Sequence, residues 1–173
     1  MIKNINLPCD KSVLKNLKAG DSVLLSGTIY TARDCAHKRL FELLDSCEPL
    51  PFDINGAFIY YAGPCPAKPE MASGSCGPTT SARMEGFAPR LLDLGMGGMI
   101  GKGEMNNETI EAVKRNGSTY FAAIGGAGAI YGKAIISSEL IAFPELLSEA
   151  VYKLTVENFP VVVAIDSDGK CIY

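Results

Sequence analysis

The chain has 173 residues, a formal net charge of −3 and an apolar fraction of 47%, with one histidine and no tryptophan. That length suits a single domain with a sizeable core, and so small a net charge gives no electrostatic basis for binding nucleic acid or an anionic membrane. No apolar run approaches the ~18 residues of a membrane span, and Met1–Pro8 lacks the basic start and apolar centre of a secretory signal, so a cytoplasmic protein is expected.

Residues 1–173 are read as one domain, with 1–20 as an N-terminal arm: an extended stretch holding a short strand, closed by a turn at Leu17–Asp21. Ser22–Tyr30 is β-rich, and Gly27 marks a bulge or bend within it. Thr31 opens T-A-R-D-C-A-H-K-R-L-F-E-L-L. Here Thr31 or its neighbour can cap a helix, Asp34 favours the first turn through the helix dipole, and Ala36, Leu40, Leu43 and Leu44 supply a buried face. Arg33 falls in that first turn with His37 one turn on. Each has an ordinary reading, as a solvated cation and a packed imidazole, beside a functional one.

Phe58–Ala62 is a buried-strand candidate, stopped by Gly63-Pro64-Cys65-Pro66, and a polar loop then leads to Gly74–Met84, G-S-C-G-P-T-T-S-A-R-M. Ser75 or Thr79 can cap a helix running to about Leu94, with Met84, Phe87, Ala88, Leu91 and Leu92 as its apolar stripe. Thr79 and Arg83, four apart, then share one face of the helix start. A hydroxyl, a guanidinium and unpaired N–H groups together would hold a carboxylate or phosphate. A capped helix with a surface arginine is the plainer alternative.

Gly95–Ile100 is a short strand followed by Gly101-Lys102-Gly103. Asn106 or Asn107 caps a helix through Arg115, and Gly117 ends it. Tyr120–Ile124 is another buried strand, Gly125–Gly132 a glycine-rich turn leading into Lys133–Ile136, and Phe143–Leu147 a helical turn. Val151–Val156 and Val161–Ile165 are strands separated at Asn158–Pro160, and Asp168-Gly169 is a terminal turn. The sum is a mixed α/β fold in layers, without the regular rhythm of a doubly wound sheet.

Phosphate-loop readings fail on spacing or on residue identity. Gly97–Gly103 is one residue short and has Gly103 where Ser or Thr would hold magnesium, and Gly126–Lys133 has Ala127 and Ala134 at deciding positions. The six cysteines (Cys9, Cys35, Cys47, Cys65, Cys76, Cys171) form no CxxC pair. With one histidine beside them, they read as reduced packing residues, and no metal or cluster site is expected from this chain alone.

Three cationic junctions remain. T-A-R-D-x-A-H-K-R, then Y-Y-A-G-P, then G-P-T-T-S-x-R-M, then G-K-G, in this order over about Asp21–Tyr173, resemble the C-terminal half, or separate β-subunit, of the iron–sulfur (class I) fumarate hydratases and L(+)-tartrate dehydratases. The resemblance implies a layered, swivelling β/β/α domain on the lid side of a hydro-lyase site. It implies a C4 hydroxy-dicarboxylate as substrate, malate giving fumarate or tartrate giving oxaloacetate. It also implies a [4Fe-4S] cluster whose open iron takes the substrate hydroxyl. The cysteines here do not fall at the family's ligand positions, so the cluster is expected on a cluster-binding α-subunit partner, while a homodimer is left open for the isolated chain.

Carried over residue by residue, the resemblance makes Arg33, Arg83 and Lys102 the substrate-carboxylate clamp, Thr79 the candidate base and His37 a supporting residue. Three separated cations can orient both ends of a dianion and stabilise the charge that builds when a proton leaves the carbon beside a carboxylate. A threonine hydroxyl is a poor base unless activated, and a helix start beside Arg83 is the activation expected of it. From another functional class, a non-catalytic anion-binding or assembly subunit retaining the fold is the alternative.

Overall fold

The computed structural model describes residues 2–173. Seven strands, β1 (Lys3–Leu7), β2 (Ser22–Thr31), β3 (Phe58–Tyr60), β4 (Gly98–Gly101), β5 (Thr119–Ala122), β6 (Ile135–Ala142) and β7 (Val151–Ile165), lie in one sheet in the order β1-β2-β3-β4-β5-β7-β6. Neighbours from β1 to β5 are parallel, and β7 runs antiparallel to β5, β6 and also β2. The second pairing of β7 closes β2, β3, β4, β5 and β7 into a ring, with β1 and β6 attached to its flanks.

Strand alternation then sorts side chains into two cores. Phe58, Tyr60, Ala62, Ile100, Phe121, Leu154, Phe159 and Val163 fill the ring. Ile59, Tyr61, Met99, Tyr120 and Ala164 point the other way, against Ala36 and Leu40 of helix α2 (Asp34–Asp45), Leu91 and Leu92 of α3 (Ala88–Asp93), and Ala112 and Val113 of α4 (Asn107–Asn116). A strand buried on both faces must be apolar at every position, which is why F-I-Y-Y-A shows no polar alternation. The result is the layered α/β architecture expected from the sequence.

Several local expectations change. The short strand expected in the N-terminal stretch is present, at the sheet edge, but Lys11–Lys15, expected as extended, form the short helix α1. The helix expected from about Ser75 or Thr79 to Leu94 is a 3-10 turn, Ser81–Met84, and then the separate α3 with Pro89 in its first turn. Gly128–Ala134, expected within a turn, form α5, so β6 starts only at Ile135. The two strands expected at the C-terminus are one. Its interruption is absorbed by Asn158 at φ 52, whose N–H bonds Ser26 Oγ at 3.1 Å, opposite the register shift of β2 between Leu25 and Gly27. Pro160 is tolerated beside that irregularity, where one ladder bond is missing anyway.

Candidate active site

Arg33, Thr79 and Lys102 all stand at the C-terminal ends of adjacent parallel strands. This is the edge where open α/β sheets present ligand-binding groups. Arg33 follows β2 by two residues and is the N-cap of α2. Thr79 is tied to the end of β3, its N–H donating to Tyr61 O at 2.7 Å and its hydroxyl to the same oxygen at 3.0 Å. Lys102 directly follows β4 and pairs with Thr80 in a parallel bridge. Ser81 N–H donates to Lys102 O, and Lys102 N–H to Ser81 Oγ, each at 2.9 Å. Tyr120 Oη lies 2.8 Å from both Ser81 Oγ and Gly103 O. One arrangement satisfies every group: Tyr120 donates to Gly103 O, and Ser81 donates to Tyr120 while accepting from Lys102.

Arg83 sits on the 3-10 turn and is joined to the start of α2 by an ion pair, Nη1 to Asp34 Oδ2 at 3.5 Å. That pair brings the β2 and β3 junctions together. It is exposed and so adds little to stability. Arg83 and Lys102 are exposed and Thr79 and Arg33 half-buried, so the cations lie on an open edge of this chain.

The helix start expected to cradle an anion is not present. Thr79 precedes the 3-10 turn and its extended N-cap Thr80, outside any helix, and its N–H and that of Ser81 are spent on carbonyls. Neither Thr80 nor any side chain caps the turn. The activation expected of Thr79 through a helix terminus therefore falls away. Its proton is held by the Tyr61 carbonyl, leaving the oxygen lone pairs as what it can offer.

His37 is fully buried between Tyr61 and Phe87, with ring centroids 5.5 Å and 5.2 Å away. Its Nδ1 lies 2.8 Å from Arg33 O, so this nitrogen carries the proton and donates. Burial pushes the imidazole pKa down to about 4, so it is neutral at physiological pH. What His37 does here is fix the backbone of Arg33.

Two glycines give the cations their space. A Cβ on Gly63 would lie 3.1 Å from Arg33 Nη1 and 2.7 Å from Ser148 O, and one on Gly125 would lie 2.9 Å from Lys102 Cδ. Neither glycine is at positive φ. Gly125 leaves room for the Lys102 side chain, and Gly63 for the Ser148 carbonyl first and the Arg33 guanidinium second.

The cysteines do not assemble. Cys76 is buried in the ring core, with its thiol pKa pushed up to about 12 by burial, and of the other cysteines Cys65 lies near it, its N–H donating to Ser75 O at 2.9 Å. Among the described residues no three of His, Cys, Asp and Glu come together as could hold a metal ion. An iron–sulfur cluster is therefore not fitted by this chain's residues.

The family model described as Fumarase C-terminus matches residues 2–173. The chain belongs to the fumarase C-terminal family. It is 42% identical to a putative L(+)-tartrate dehydratase subunit beta of Methanocaldococcus jannaschii, over 94% of this chain and 87% of that one. It is 38% identical to fumarate hydratase 2 of Leishmania major over 98% of its own length, and 41% identical to the aerobic class I fumarate hydratase of Escherichia coli over 84%. It spans only 31% and 27% of those two proteins, so it corresponds to a part of each. The resemblance carried by the ordered motifs is thus established at the level of the family.

Tyr61, Gly63 and Ser81 lie inside the motifs Y-Y-A-G-P and G-P-T-T-S-x-R-M, and Gly125 opens the glycine-rich turn, but their contacts to Thr79, Arg33 and Lys102 are visible only in the structure, as is the place of Glu149. Ser81 had a usable signal, since it follows Thr79 and Thr80 in one polar run. Asp34 enters the sequence reading through the helix dipole and the T-A-R-D motif, without a link to Arg83, and Glu149, 116 positions beyond Arg33, has no local signal.

Proposed function

We propose that this chain is the β-subunit of an iron–sulfur hydro-lyase that reversibly dehydrates a C4 hydroxy-dicarboxylate, malate to fumarate or tartrate to oxaloacetate. The observation that carries this is the convergence of Arg33, Thr79 and Lys102 on the ends of three adjacent parallel strands, with Arg83 tied in through Asp34. In this reading Arg33, Arg83 and Lys102 hold the two substrate carboxylates. A guanidinium can grip a carboxylate through two parallel bonds, while the lysine acts as a point charge.

When a proton leaves the carbon beside a carboxylate, negative charge spreads into that carboxylate, and cations already aimed at it lower the barrier. Thr79 is the candidate group at that carbon. Because its own proton rests on Tyr61 O, it can take another only as that proton is passed on, so the assignment stands or falls on mutation. The [4Fe-4S] cluster implied for the family is assigned to an α-subunit partner, whose surface would cover the open edge. The name of the archaeal relative, a subunit beta, supports a separate partner chain.

The test is co-expression with the cluster-bearing chain and anaerobic assay on malate and on tartrate. Turnover of one of them by the pair, and not by either chain alone, is expected. An assembled, cluster-loaded pair that turns over neither would overturn the reading.

A further inference from the structure

Arg33 has a partner from the far end of the chain. The segment Phe143–Ala150 crosses over the start of α2 and brings Glu149 Oε1 to 3.8 Å from Arg33 Nε. That Nε is buried and has no hydrogen-bond partner, and the Glu149 carboxylate stands just outside hydrogen-bond reach of it. The Cys35 thiol, two residues on, also faces Glu149, which raises its pKa. The Ser148 carbonyl, adjacent to Glu149, and the Arg33 guanidinium both crowd Gly63, where a Cβ would lie 2.7 Å from the one and 3.1 Å from the other.

The segment is held in an unusual conformation to do this. Phe143 has φ 57, and Leu147 has φ 55 with ψ −117, left-handed values that non-glycine residues adopt only where the surroundings enforce them. The enforcing contacts are present. Arg39 of α2 pairs with Glu145 and lies 4.8 Å over the Phe143 ring, and Tyr152 Oη donates to Leu147 O at 3.2 Å. Leu147 itself is 75% exposed, so no burial of its side chain explains the strain. The residues that the strain delivers are Ser148 and Glu149.

We infer that Glu149 is a positioning residue for the Arg33 arm of the carboxylate clamp, holding the guanidinium in place and releasing it to a substrate carboxylate. This rests on the hydro-lyase reading above. The arm is otherwise unfavourable: a cation at a helix N-terminus faces the positive end of the dipole, and a nearby carboxylate offsets it. An incoming carboxylate replaces Glu149 with like charge, so the arginine passes from one anion to another without being left bare.

Glu149→Gln in the assembled enzyme tests this, beside Arg33→Ala. The expected result is a split: kcat falls about tenfold, within what small misplacement of a binding group costs, while KM is unchanged or lower because a competing anion is gone. Loss of folding stability with both constants within twofold of wild type would make Glu149 a helix-dipole partner only and overturn the inference. Glu149→Asp, which keeps the carboxylate, supplies the conservative arm: it is expected to recover part of the kcat lost in Glu149→Gln, and a kcat no higher than that of Glu149→Gln would overturn the inference. If Arg33→Ala retains full turnover, the clamp reading itself fails. If Arg33→Ala is inactive and Glu149→Gln behaves as wild type, only the role of Glu149 fails.

Discussion

Helix α4 and helix α2 begin in opposite ways. At α4, Asn106 Oδ1 accepts the Thr109 N–H at 2.9 Å, Glu108 sits in the first turn, Lys114 and Arg115 in the last, and Gly117 ends the helix at φ 60. Every local rule for a helix is met, and the helix packs its apolar face against the sheet and ties to α3 through Arg115 and Asp93. At α2 the N-cap is Arg33, without a side-chain cap, and its orientation depends on a buried histidine, a glycine seat and a carboxylate from residue 149. The same contrast separates α4 from the uncapped 3-10 turn that carries Arg83. Where local preference is set aside and distant groups are recruited to compensate, a site is the physical reason to look for.

The largest expected effect comes from Thr79. Thr79→Val keeps its shape and removes the hydroxyl, and if that oxygen handles the proton, kcat of the assembled enzyme should fall by roughly 10²–10⁴. Thr79→Ser should keep part of the rate. Since no cap depends on Thr79, stability should change only by loss of its bond to Tyr61 O, about 1 kcal/mol. A kcat within about threefold of wild type is too small a loss for a general base and would move that role to the partner chain.

His37 sharpens the comparison through pH. In the unfolded chain the imidazole titrates near 6.5 and in the folded chain at about 4. Between those values the unfolded chain binds the extra proton, so stability falls as pH drops from 6.5 to 4, by up to about 3 kcal/mol. Urea midpoints measured across that range should show the loss in wild type. In His37→Gln, whose amide can still donate to Arg33 O, the part due to the imidazole should vanish. A wild-type midpoint flat over this window would show that the imidazole is not held neutral by burial.

The smallest effect belongs to the ordinary helix. Asn106→Ala should cost about 1 kcal/mol, some 2–4 °C in Tm for a chain of this size, and leave turnover of the folded enzyme as in wild type. A marked loss of turnover at unchanged stability would show that α4 is not the plain scaffold it is taken for.

This contrast also explains what could be read from the sequence. The cap and stop of α4, the buried strand Phe58–Ala62 and the bulge at Gly27 are local signals, and the structure agrees with them. The ordered cationic motifs were legible too, because each sits where a strand ends and a loop begins. The helix expected to start near Thr79 was not, because Tyr61 O and Lys102 O take the N–H groups that a helix start would have left free. Nor was the single β7, since its unity depends on a bulge in β2 more than a hundred residues away. Gly63 and Gly125 are marked in the sequence, one by its motif and one by its glycine-rich turn, but their contacts with Arg33 and Lys102, like that of Glu149 with Arg33, lie across the fold and have no local signal.

Arg83 is where the account can be tested most directly. It is exposed, lies outside both cores and makes one loose ion pair, so Arg83→Ala should leave the denaturation midpoint unchanged. In the complex with the cluster-bearing partner, loss of a charge-assisted contact to a buried carboxylate should cost roughly 2–5 kcal/mol, about thirtyfold or more in kcat/KM on the C4 dicarboxylate. The measurement is kcat/KM of Arg83→Ala at cluster occupancy matched to wild type. A drop of that size in a fully folded variant is the result predicted, and near-normal turnover would contradict the carboxylate clamp.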